Sequence, residues 1–129
     1  MYTIYKMREL RLDPSPVATK KWRVTFEDGT NVDFGARGYA DYTTHKNSRR
    51  MRNYIRRHGG IISRKTEDEN DPIEIHRLML NVDKSTREAW GPRRGIKTPG
   101  FWSRWLLWSQ PGLGKAIKFM RKKFDIYLI

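Results

Sequence analysis

The chain has 129 residues, 37% hydrophobic and 12% aromatic, which suits a single domain with a packed core and argues against wholesale disorder. Its 27 lysines and arginines against 14 acids leave a net charge of +13, so a polyanion, an anionic lipid surface or an acidic protein is expected as a neighbour. The lack of cysteine excludes disulfides, thiolate metal sites and a cysteine nucleophile, and no apolar run approaches the roughly 20 residues that span a bilayer.

Residues Tyr2–Leu12 alternate weakly and read as a strand or extended arm without the continuous apolar stretch of a signal peptide, and Asp13-Pro14-Ser15-Pro16 reads as a short linker. From Lys21 to Phe34 the pattern predicts a β-hairpin. Trp22, Val24 and Phe26 share one face, Glu27-Asp28-Gly29-Thr30 turns the chain, and Val32 and Phe34 return it. After the glycine corner at 35–38, Asp41 or Thr43 caps a helix expected over 43–58, ended by Gly59-Gly60. Its apolar face carries Met51, Tyr54 and Ile55, and its other faces carry Lys46, Arg49, Arg50, Arg52, Arg56 and Arg57 with no acid among them.

Residues 59–86 swing from basic to acidic and read as an inserted excursion that packs peripherally, with a helix opened by Asp71-Pro72 and striped by Ile75, Leu78, Met79 and Val82. A helix over 99–109 follows, started by Thr98-Pro99. In it Phe101, Trp102, Trp105, Leu106, Leu107 and Trp108 leave only Ser103 and Arg104 polar up to residue 108, so it is buried from several sides or completed by a partner. The last helix, 113–124, buries Leu113, Ile117, Met120 and Phe124, and 125–129 reads as a closing strand. The expected fold is α+β: one small domain, a hairpin or small sheet packed against three or four short helices. Its shared core is Trp22, Phe34, Tyr54, Ile55, Trp105, Leu106, Ile117 and Met120.

Two surfaces are candidates for binding. A basic face, taken as Arg49, Arg52, Arg56, Arg57, Lys118 and Lys122, would meet an anionic partner, and Trp102 or Trp108, whichever faces outward, would be buried in a protein interface. Stacking of single-stranded bases on the tryptophans is the competing use. His45, His58 and His76 show no metal-ligand spacing, Gly91–Gly95 lacks the P-loop pattern, and Gly112–Lys115 reads as a turn at a helix start. No cofactor, metal or catalytic residue is expected, and an enzyme is the least favoured class.

Two blocks, FGARGYADYTTHK at 34–46 and GIKTPGFWSRWLLWSQPGLGKAIKFMRKKF at 95–124, preceded by Arg87-Glu88-Ala89-Trp90, resemble a small basic protein family found chiefly in large double-stranded DNA viruses of the phycodnavirus and mimivirus kind. That family implies no established activity and lends no catalytic residues. The resemblance implies a minor capsid protein that cements capsid proteins on the inner face of an icosahedral virion, with nucleic acid or the inner-membrane surface as further partners. The alternative is a virion protein that condenses or packages DNA.

Overall fold

The structure, a computed structural model, describes residues 8–129. The expected arm therefore lies partly outside the described residues. Its end forms β1 (Arg8–Pro14), followed by β2 (Lys20–Thr25) and β3 (Asn31–Ala36). Both neighbouring pairs are antiparallel, with Leu12 opposite Val24 and Trp22 opposite Phe34. The segment read as a linker is a tight connection: the Ser15 amide donates to Lys21 O at 3.0 Å, and Ser15 Oγ donates to Asp33. At the hairpin turn Asp28 accepts the Thr30 amide, and Gly29 adopts the left-handed φ of 84° that such a turn demands.

A fourth strand, β4 (Ile126–Leu128), lies parallel to β1, giving the sheet order β3-β2-β1-β4. The closing strand thus sits at the far edge from β3. The helix before it supplies the crossover that parallel neighbours require. The fold is α+β, a mixed four-stranded sheet with short helices around one core.

The helices depart from expectation in two places. The basic helix is two: α1 (Tyr42–His45) and α2 (Ser48–Arg57). Asp41 caps α1 in a capping box, Lys46 closes it at φ 57°, and the Asn47 side chain accepts the amides of Arg49 and Arg50 to start α2. His45 Nδ1 accepts the Asn47 amide at 2.9 Å, so the break is held by side chains. Within residues 59–86, α3 (Arg64–Glu67) and α4 (Pro72–Leu80) form an excursion closed at its base, where Gly60 bridges Ser85 and the Thr86 amide donates to Gly59 O. Peripheral packing does not hold for all of it. Ile75 and Met79, four residues apart on α4, are fully buried against the core that α2 shares, because that spacing puts both on one helical face.

The tryptophan segment is also not one α-helix. After α5 (Pro92–Gly95) and α6 (Pro99–Trp102), residues Ser103–Leu107 form a π-helical turn closed by the Trp108 amide on Ser103 O at 3.0 Å, and α7 (Leu113–Phe124) follows as expected. The segment is the centrepiece of the core. Trp102 lies against Phe34 and Phe26 of the hairpin, and Trp105 against Phe119 and Phe124 of α7. Full burial of side chains this large contributes on the order of 2–3 kcal/mol each. Of the expected core, Trp22 and Ile117 are only partly buried; the other six are buried.

Candidate functional site

The π turn carries a buried cation. Arg104 is 0% exposed and makes no hydrogen bond or ion pair with a carboxylate among the described residues; its guanidinium donates to Met79 O (2.6 Å), Val82 O (3.0 Å) and Trp108 O (2.7 Å) and lies 4.3 Å from the Trp105 ring centroid. Burial pulls its pKa down to about 9, so the charge is costly and is held by backbone dipoles and π faces instead of a counter-ion. It clamps the end of α4 to the tryptophan segment. This ties the excursion to the core.

The arginines of α2 divide into two sets. Arg49, Arg52 and Arg56 face the excursion: Arg49 donates to Asn70 O at 2.7 Å, Arg52 to Thr66 O and Glu69 O, and Arg56 pairs with Glu67 at 2.8 Å. Arg52, expected in the partner-binding face, is 9% exposed and has no surface to offer, because the acidic segment folds back over it. Burial and the repulsion of Arg56 and Arg49 lower its pKa. Arg50 and Arg57, with Asn53 and Tyr54 between them at helical spacing, point the other way, into a groove.

That groove encloses about 520 Å³ between α2, the β2 and β3 ends of the hairpin, and the π turn. Its floor is an aromatic stack: Tyr54 lies between Trp108 (centroids 4.4 Å apart, planes 5° apart) and His58 (4.1 Å, 28°). Burial pushes the Tyr54 phenol up, and its hydroxyl finds no partner among the described residues. Lys20, Tyr39, Arg50 and Arg57 stand around this floor. Two carboxylates also line it, and both are engaged: Asp41 accepts from Lys21 at 2.6 Å and from Thr43, and Glu88 accepts from Trp90 Nε1 and shares a hydrogen bond with His58. Gly35 is needed at the wall: its φ is 80°, and a Cβ there would stand 2.8 Å from Leu107 Cδ1.

The remaining expected residues fall elsewhere. Trp102 is 0% exposed and donates through Nε1 to Ile96 O, which removes it as an outward-facing aromatic; Trp108 is half-buried and belongs to the groove floor. Lys118 and Lys122 are exposed on α7 and, with Lys115, form a stripe at spacings of three and four. No carboxylate or hydrogen-bond acceptor among the described residues reaches these three ammonium groups within bonding distance. The other two α7 cations are occupied, Arg121 over the Tyr127 ring and Lys123 beside Trp105 and Phe124.

Each histidine has a local packing or hydrogen-bond role. His76 shares a 2.7 Å hydrogen bond with the Tyr42 hydroxyl, His45 holds the α1–α2 break, and His58 stacks on Tyr54. Among the described residues no three His, Asp or Glu side chains converge as a metal site, and no helix is long and apolar enough to cross a membrane. Lys20, Tyr39, Arg50 and Asn53 escaped the sequence reading as site residues, Arg50 having been read only as one of the helix cations. The signal for Asn53 was available in its spacing from Arg50 and Arg57; Lys20 and Tyr39 reach the groove only through the hairpin's position.

Comparison with known proteins gives one finding. Residues 10–58 match a family of unknown function (DUF5754). The match runs from β1 through α2 and includes Lys20, Tyr39, Arg50 and Arg57 of the groove, while the π turn and α7 lie beyond it. No curated protein and no solved structure matches the chain.

Proposed function

We propose that this chain is a structural docking protein, a minor capsid protein that cements neighbouring capsid proteins in the shell of a large icosahedral DNA virus. The observation that carries the reading is the α7 stripe, Lys115, Lys118 and Lys122, exposed and without an ionic partner among the described residues. Three lysines spaced over about 10 Å of helix match a discrete acidic patch on a folded neighbour. Carboxylates in ion pairs elsewhere, including Asp28, Asp33, Glu67 and Glu74, divide the cationic surface into separate patches. Such division suits several protein neighbours better than one duplex. The likeness of segments 34–46, 87–90 and 95–124 to the virus family supplies the setting.

The test is incorporation into assembled particles. Lys118→Glu with Lys122→Glu should abolish recovery of the protein in purified shells while the thermal midpoint stays within about 2 °C, since exposed charges contribute about 0–1 kcal/mol. Normal recovery of that variant in the shell would remove the stripe as the docking element. Recovery only with the packaged genome would favour the packaging function instead.

A further inference from the structure

The groove beside α2 differs in chemistry from the lysine stripe. Its two carboxylates are already engaged, so Lys20, Arg50 and Arg57 present positive charge that no carboxylate among its described lining residues neutralises. Neither arginine side chain makes a hydrogen bond or ion pair among the described residues. At its mouth stands Tyr39, 74% exposed, which lines both this groove and a second one lined by Arg37, Thr44 and Leu113. An aromatic left in water beside three cations is unexpected for a fold that buries four of its five tryptophans or stacks them on neighbours. The floor beneath is rigid, because Trp108, Tyr54 and His58 are stacked on one another.

From this arrangement we propose that the groove binds a segment of single-stranded nucleic acid, with phosphates on Lys20, Arg50 and Arg57 and a base stacked on Tyr39. The arginines supply planar donor forks suited to phosphate oxygens, and the tyrosine supplies a face that accepts any base. The volume is within the range of pockets that hold ligands of nucleotide size. Asn53, between the two arginines on the same face, lines the groove; its Oδ1 accepts from Arg56 Nη1 at 3.1 Å, which leaves the Nδ2 amide to donate to a base edge or sugar. Duplex DNA fits less well, since its stacked bases offer nothing to Tyr39. The site is independent of the lysine stripe.

Fluorescence anisotropy of the full chain with a labelled oligodeoxythymidylate tests this, with a duplex of equal length, inorganic polyphosphate and phosphatidylserine vesicles as competitors. Three phosphate contacts predict a slope of log affinity on log salt of about −2, falling towards about −0.7 in the Arg50→Ala, Arg57→Ala variant. Tyr39→Ala should weaken the oligonucleotide about 5- to 100-fold yet leave polyphosphate binding unchanged, which separates stacking from loss of charge. The Lys118→Ala, Lys122→Ala variant, with the same loss of charge, should change affinity about threefold or less. Equal losses from both charge pairs, an unchanged affinity in Tyr39→Ala, or stronger competition by duplex or vesicles than by unlabelled oligonucleotide would each overturn the proposal. Circular dichroism of Tyr39→Ala should match the parent, because the side chain is largely in solvent.

Discussion

Arginine is used here in two opposite ways, and the chain's formal charge does not tell them apart. Arg104 and Arg52 end in backbone carbonyls, whereas Arg50 and Arg57 end in the groove. Replacing Arg104 by methionine keeps much of the volume but strands the carbonyls of Val82 and Trp108, each at about 1–3 kcal/mol when left without water, while Met79 O keeps the Val82 amide. The expected result is a loss of several kcal/mol in urea unfolding. Arg52→Met, which strands Glu69 O near the surface while Thr66 O keeps the Glu69 amide, should lose about 1–3 kcal/mol, and Arg57→Met should fall within about 0.5 kcal/mol of the parent. Comparable losses from Arg52 and Arg57 would mean that the division of α2 into two faces is wrong. The sequence could not separate these residues because an arginine's spacing fixes its helical face but not what folds back over that face. The acidic run 67–69 was visible; its return onto Arg52 depends on the turn at Glu69–Asp71 and on the Arg104 clamp.

At the level of elements, the hairpin and α7 were legible because alternation and heptad-like spacing report directly on burial. The two departures, the break at Lys46-Asn47 and the π turn at 103–107, are held by local hydrogen bonds that no periodicity records. The break carries a pH dependence. His45 must be unprotonated at Nδ1 to accept the Asn47 amide, and burial, then Arg50, lowers its pKa, with Asp41 opposing and Lys21 adding to the shift. Burial also lowers His76, and Lys115 and Arg104 add to the effect. The folded state therefore binds fewer protons than the unfolded chain, so this stabilisation is complete above about pH 6.5 and is lost as pH falls below it towards the folded values. Thermal midpoints should drop between pH 7.5 and 5, before most carboxylates titrate, and the drop should shrink in a His45→Gln, His76→Gln variant. An undiminished drop would place the acid sensitivity elsewhere. A second element-scale test concerns α5: a Cβ at Gly95 would stand 1.9 Å from Ala89 O, so Gly95→Ala should destabilise by about 1–3 kcal/mol or more through displaced backbone.

Across the whole molecule, the α+β class and most of the core follow from apolar patterning, while the placement of charge does not. The basic helix looked like the partner surface because its arginines have no acids on their own helix, yet three of the five are taken up by an excursion 11 to 21 residues away, Arg49 and Arg52 on its backbone carbonyls and Arg56 on Glu67. The tryptophan segment looked too apolar for a small core. The sheet, α4 and α7 cover it from different sides, and the π turn brings four successive residues, Arg104–Leu107, into the interior. The unpartnered charge is thereby left on α7 and in the groove. If α7 docks on an acidic capsid surface, its lysines must lie within bonding distance of a neighbour's carboxylates in the assembled particle. Carbodiimide cross-linking of intact virions, which joins lysine amines to carboxylates at zero length, followed by mass spectrometry, tests this most directly. Links from Lys115, Lys118 or Lys122 to capsid proteins are expected; a protein absent from the shell, or present there with links only from other lysines, would contradict docking through α7.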